Sequence, residues 1–107
     1  MHTQNKKHLK MYVIVRRDLS ETYRCVQGGH ALSEYSYRGN QELYNSWNNE
    51  YLIYLGVQNE IALRFWEMKL QDRKKDFVCF REPDLNNAIT AIACVDTGEI
   101  FMNLPLA

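Results

Sequence analysis

The sequence near its start reads Met11-Tyr12-Val13-Ile14-Val15, an unbroken run of apolar and aromatic residues that includes three β-branched side chains. A run of this length without polar alternation is typical of a strand that is buried on both faces inside a sheet. The polar residues at 16–20 then lead the chain out of the core. We therefore predict a central strand at residues 10–17.

Helical spacing follows this strand. Ser20 or Thr22 is expected to cap a helix over residues 22–38, because a side-chain oxygen there accepts a free backbone N–H. The inward side of this helix is predicted to carry small and apolar residues, namely Cys25, Gly28, Gly29, Leu32 and Tyr35. Glycine costs about 1 kcal/mol relative to alanine inside a helix, so the Gly28-Gly29 pair predicts a close approach by the sheet or by a ligand.

Further apolar runs predict three more strands, at residues 50–57, 76–81 and 88–96, with a short helix at 41–47. Asn59 is expected to open a second long helix over residues 58–73, whose predicted core stripe is Ile61, Ala62, Phe65 and Met68. A last extended piece is expected after Asp96. The prediction is an N-terminal tail at 1–9 and one α/β domain at 10–107, with a mixed four-stranded sheet flanked by helices.

Composition limits the class of protein. The 107 residues, of which 46% are hydrophobic and 24% charged, suffice for one core. The apolar runs are too short for a membrane span, and the N-terminus has no signal-peptide pattern. Three scattered cysteines argue against a disulfide framework and fit a reducing cytoplasm. Their spacing favours core packing over metal binding, so we expect no metal and no cofactor.

Charge is balanced over the chain but uneven along it. The sequence holds 13 Lys and Arg and 13 Asp and Glu, yet its first 40 residues hold seven bases against three acids. This basic third is compatible with a phosphate-binding surface. It is equally compatible with an ordinary solvated surface.

The segment Gln27-Gly28-Gly29-His30 follows the first strand closely. Ligands of open α/β sheets usually bind where the carboxyl end of a strand meets a helix, and histidine exchanges a proton near neutral pH. A purely structural role for His30 is the alternative. The segment lacks the glycine spacing and the lysine of a phosphate-binding loop.

Two parts of the sequence resemble the type-II peptidyl-tRNA hydrolases. The first is the strand beginning at Lys10-Met11 and ending in an Arg-x-Asp-Leu stretch, followed by Gln27-x-x-His30-Ala31. The second, at residues 82–85 and 90–93, looks like the acidic loop of that family and its last strand, which begins with threonine. The resemblance covers roughly residues 10–95.

This resemblance implies a cytoplasmic enzyme that hydrolyses the ester between a peptide and tRNA. His30 with Glu82 or Asp84 would handle the proton, and Gln27 or Thr90 would orient the water or the carbonyl. The tRNA phosphates would be held by basic residues, namely Lys10, Arg16, Arg17, Arg24 and Arg38. Arg24 would stand in for a loop lysine of the family, keeping the charge but not the titratable amine. The alternative is a non-catalytic RNA- or protein-binding module of the same fold, monomeric or homodimeric.

Overall fold

A four-stranded mixed sheet forms the centre of the protein in the computed structural model, which describes residues 8–107. Its strands are β1 (Lys10–Arg16), β2 (Tyr51–Val57), β3 (Phe77–Glu82) and β4 (Ala88–Asp96), arranged in the order β2-β1-β4-β3. Strand β1 is parallel to β2 and antiparallel to β4, and β3 is antiparallel to β4. The predicted α/β class and mixed four-stranded sheet are confirmed.

Strand β1 lies inside the sheet because both of its faces are apolar. Met11, Val13 and Val15 join the core on one face, whereas Tyr12 and Ile14 join the core on the other. Each of the five is at most 7% exposed. A strand covered on both sides needs no polar alternation, which explains the uninterrupted apolar run.

Three helices cover the sheet, namely α1 (Glu21–Arg38), α2 (Gln41–Trp47) and α3 (Glu60–Asp72). Ser20 caps α1 by accepting the Tyr23 N–H at 3.2 Å, and Asn59 caps α3 by accepting the Ala62 N–H at 3.0 Å. Helices α1 and α2 pack on one face of the sheet and α3 packs on the other. None of the helices within residues 8–107 is both long and apolar enough to cross a membrane.

The predicted core stripe of α3 is wrong at three of its four positions, since only Ala62 packs against the core. Leu63 and Leu70 are the side chains that α3 buries against the sheet. Ile61, Phe65 and Met68 instead point outward and are 78%, 58% and 63% exposed. Both sides of the helix are apolar, so helical spacing fits either stripe, and contact with the sheet decides between them.

Two smaller predictions also differ from the structure. Cys25 and Gly29, assigned to the inward side of α1, are exposed, and Gln27 and Ala31 are buried instead. After β4 the chain forms a 3₁₀ turn at Glu99–Phe101 rather than an extended piece. The expected tail at 1–9 lies largely outside the described residues, as do Lys6 and Lys7 of the basic third.

Candidate functional site

A buried polar network lies between α1 and the sheet, close to the carboxyl end of β1. Gln27 of α1 donates a hydrogen bond from Nε2 to Oε1 of Glu82, at the end of β3, at 2.8 Å. The Thr90 hydroxyl, on β4, donates to Oε1 of the same glutamine. Gln27 and Thr90 are fully buried and Glu82 is 9% exposed. The fold thus brings together three of the residues that the sequence singled out.

Glu82, rather than Asp84, is the carboxylate of this network. Its second oxygen accepts the backbone N–H of Asp84 at 3.1 Å, at the start of the 3₁₀ turn Pro83–Leu85. The hydrogen bond from Gln27 lowers the pKa of Glu82, and the Asp84 N–H and the nearby His30 lower it further, while burial opposes them. Glu82 is therefore ionised at neutral pH. The side chain of Asp84 is exposed.

His30 lies one turn after Gln27 on α1 and is exposed to solvent. Its ring stacks on Phe80 of β3, with ring centroids 4.6 Å apart and an angle of 12° between the planes. Phe80 precedes Glu82 by two residues on the same strand, so the two side chains project to the same face of the sheet. No hydrogen bond joins His30 to Glu82 among the described residues. The arrangement is an accessible imidazole held beside an ionised carboxylate.

Tyr23 is a member of this site that the sequence analysis did not assign to it. Burial raises the pKa of Tyr23, and the charges of Glu82 and Asp84 raise it further. The hydroxyl therefore stays protonated, with Glu82 as its hydrogen-bond partner. Residues 23, 27 and 30 follow the i, i+4, i+7 spacing of one helix face, which is the signal that links Tyr23 to the other two.

The two adjacent glycines of α1 have different surroundings. A Cβ added to Gly28 would lie 2.4 Å from the ring of Tyr54 on β2, whereas a Cβ on Gly29 would meet nothing within 4 Å. Close packing on the sheet therefore accounts for Gly28. Gly29 lies open to solvent next to His30.

Two of the five basic residues predicted to hold RNA phosphates are bound within the protein itself. Arg16 makes two hydrogen bonds to the Asp18 carboxylate, at 3.0 and 2.9 Å, and a third to the Ile89 carbonyl at 3.1 Å. The guanidinium of Arg24 donates to the carbonyls of Leu19 and Arg17, both at 2.8 Å. These bonds stabilise the connection from β1 to α1.

The remaining three basic residues do not converge on one surface. Arg17 is exposed at the end of β1 nearest the network. Lys10 begins the same strand, with its Nζ 5.9 Å from the ring centre of Tyr51. Arg38 ends α1 and pairs with Glu34 at 3.0 Å. Arg38 follows His30 by eight residues on α1, which places it about 12 Å from His30 along the helix axis.

The cysteines are spread between the surface and the core. Burial raises the pKa of the Cys79 thiol to about 12 and raises that of Cys94 above its ordinary value, so neither thiol is a nucleophile at neutral pH. Cys25 is exposed. Within residues 8–107, no three His, Cys, Asp or Glu side chains gather in a way that could hold a metal ion.

Comparison with known proteins supports the fold alone. The sequence matches no family model, and no curated protein matches it. Among solved structures, the chain is similar to a protein of unknown function from Agrobacterium tumefaciens strain C58, with a TM-score of 0.66 and 15% sequence identity. That similarity covers 94% of this chain and 98% of the other. The protein thus shares its α/β fold with that structure.

Proposed function

We propose that this protein is a hydrolase that cleaves the ester joining a peptide to the terminal ribose of tRNA. The observation that carries this proposal is the exposed imidazole of His30 beside Glu82, a carboxylate kept ionised by Gln27. Hydrolysis of an ester needs a base for the attacking water and a donor for the charge that develops on the carbonyl oxygen. Both kinds of group border this site.

In the proposed reaction His30 takes a proton from water as the water oxygen attacks the ester carbonyl carbon. The bond from that carbon to the ribose oxygen then breaks, and His30 returns the proton to the leaving oxygen. The negative charge of Glu82 stabilises the imidazolium that forms in between. Tyr23, which keeps its proton, is the candidate donor to the carbonyl oxygen when its hydroxyl turns from Glu82 to the substrate.

Gln27 and Thr90 have a different role in this scheme from the one that the family resemblance implies. Both are fully buried, so they are out of reach of a substrate. Thr90 orients the amide of Gln27, and Gln27 holds Glu82. We assign them as positioning residues for the carboxylate.

A second candidate function is a non-catalytic RNA- or protein-binding module. Its protein-binding form is favoured by the internal bonds of Arg16 and Arg24, which occupy the guanidinium groups of two predicted phosphate ligands. The acidic groups around His30 also oppose the approach of a polyanion. Under this interpretation the network is a structural anchor between α1 and the sheet.

Release of a labelled acyl-peptide from tRNA by the purified protein tests the first proposal. We expect His30→Ala to lower the rate by about 100-fold or more, the usual contribution of a general base. His8→Ala is the matched control, because His8 is also exposed but makes an edge-on contact with Tyr51 at the other end of β1. The control is expected to retain the full rate.

The same assay decides between the two candidates. No release by the wild-type protein, or equal release by His30→Ala, would eliminate the hydrolase. Binding of tRNA measured over a salt series then tests the module, since phosphate contacts weaken steeply with salt. Arg17→Glu is the informative variant, because Arg17 is exposed, whereas changing Arg24 would also break the bonds to Leu19 and Arg17.

A further inference from the structure

Strand β3 forms one edge of the sheet, and its outer side is open. The opposite edge, β2, is covered by residues 104–107, where the Gly56 N–H donates to the Pro105 carbonyl at 2.9 Å. Among residues 8–107, β3 pairs only with β4. In a strand with one neighbour, about half of the backbone N–H and C=O groups point away from that neighbour. The outer edge of β3 therefore presents a row of backbone donors and acceptors.

A groove follows this open edge. Its cavity of about 530 Å³ is lined by Glu34 and Arg38 of α1, by Glu67 of α3, and by residues 77–79 and Arg81 of β3. Helices α1 and α3 cover opposite faces of the sheet. A cavity that both helices border must therefore pass around the edge of β3.

The walls of the groove carry no net charge. Glu34 pairs with Arg38 at 3.0 Å, and Glu67 pairs with Arg81 at 2.7 Å. A polyanion therefore gains no net attraction here. What the groove offers is an extended row of backbone hydrogen-bonding groups, and these are matched by the backbone of another extended peptide.

The groove leads away from the candidate site. His30, Glu34 and Arg38 follow one another at a spacing of four residues, which places them in one row along α1. At one end of this row His30 stacks on Phe80, the last residue of β3 before its register with β4 shifts. From there the regular edge runs back over residues 77–80, or about 13 Å of strand. The groove thus starts at the imidazole and has room for a few residues of extended chain.

We propose that this groove binds the peptide part of the substrate, which adds to the sheet as a further strand beside β3. The inference rests on the proposed hydrolysis of peptidyl-tRNA and names what the site recognises in the peptide. The ester carbonyl lies beside His30, and the three preceding residues run back along the edge toward Phe77. Backbone pairing does not depend on side chains, and the backbone is what peptides of different sequence have in common.

Release from tRNA by the full chain, measured with two substrates of different length, tests this proposal. N-acetyl-alanyl-tRNA reaches the site but not the groove, whereas N-acetyl-tetraalanyl-tRNA reaches both. We expect the longer substrate to have a KM that is lower by about 10-fold or more at an unchanged kcat. Hydrogen bonds made away from the ester stabilise the bound substrate and the transition state alike.

Methylation of alternate backbone nitrogens distinguishes backbone pairing from side-chain contact. Alternate residues of a strand direct their N–H groups to the same neighbour. Of the two tetraalanyl substrates methylated on odd or on even residues, one should therefore lose the gain in KM and the other should keep it.

Amide hydrogen exchange followed by NMR tests the groove without any hydrolysis. The probe is N-acetyl-tetraalanine amide, which has no ester. At saturation it should slow the exchange of the outward-facing β3 amides by about 10-fold or more, because they gain hydrogen-bond partners. The amides of β2 are the internal control and should not change, since residues 104–107 already cover that edge.

The outcomes separate this inference from the proposed function. Release with the same KM for both lengths, or with the same KM for both methylated substrates, overturns the groove and leaves the hydrolase standing. Slowed exchange in β3 without release from tRNA overturns the hydrolase and leaves peptide binding standing. Unchanged exchange in β3 overturns the groove. So does exchange that slows with protein concentration alone, which would mean that two β3 edges pair with each other.

Discussion

Helices α1 and α3 cover opposite faces of one sheet and depart from a simple amphipathic helix in opposite directions. Helix α1 turns a polar side chain, Gln27, fully into the core. Helix α3 turns a row of large apolar side chains, centred on Phe65, out to solvent. The first departure places a polar group in the apolar core. The second places apolar groups in contact with water.

The difference between the helices lies in how each departure is compensated. A buried amide is costly unless it is hydrogen-bonded, and Gln27 is bonded to both Glu82 and Thr90. Within residues 8–107 no buried side-chain nitrogen or oxygen lacks a hydrogen-bond partner. Among residues 8–107 the exposed row of α3 has no corresponding compensation. One helix thus completes a site within the molecule, whereas the other leaves an apolar row exposed to solvent.

The largest expected effect is a difference in stability between variants on the two sides of α3. Leu63→Ala should lower the free energy of unfolding by about 2–5 kcal/mol, because it leaves a cavity in the core. Ile61→Ala removes an exposed side chain and should change it by no more than about 0.5 kcal/mol. Urea denaturation measures both. Equal losses would mean that the outer row of α3 is part of the core after all.

A smaller difference in stability is expected between variants at two neighbouring positions on α1. Gly28→Ala should destabilise the protein by about 1 kcal/mol, since the clash with Tyr54 outweighs the gain in helix propensity. Gly29→Ala meets nothing and should stabilise it by about 0.5–1 kcal/mol. Thermal or urea denaturation of the two variants provides the measurement. A stabilising Gly28→Ala would show that α1 does not depend on close contact with β2.

The smallest expected effect is a pH dependence of stability. It arises from Glu82, the carboxylate that Gln27 of α1 binds. The folded pKa of Glu82 lies below its ordinary value of 4.5, so its ionised form stabilises the fold above that pH. This stabilisation is lost as the pH falls through the folded pKa. The difference in urea midpoint between the wild type and Glu82→Gln should therefore be present at pH 7 and shrink as the pH falls below 4.5 through the folded pKa of Glu82. A difference that stays constant over this range would show that the Glu82 charge does not contribute.

Local patterns predicted the elements of this fold well. The apolar run at 11–15 indicated a strand inside the sheet, and Ser20 and Asn59 marked the starts of two helices. Each of these signals depends on neighbouring residues only. The candidate site was harder to predict, because Gln27, Glu82 and Thr90 meet across 55 to 63 positions of sequence. The resemblance to a known family named these residues, but it left the choice between Glu82 and Asp84 open.

The sequence by itself determined where strands and helices form, because hydrophobic spacing and capping act over a few residues. Only the tertiary structure decided which stripe of α3 faces the sheet, which carboxylate reaches Gln27, and whether the basic residues converge. Arg16 and Arg24 illustrate the reason, since their guanidinium groups bind backbone carbonyls whose positions depend on how the chain folds back. Such partners are set by the packing of distant segments and leave no periodic signal in the order of residues.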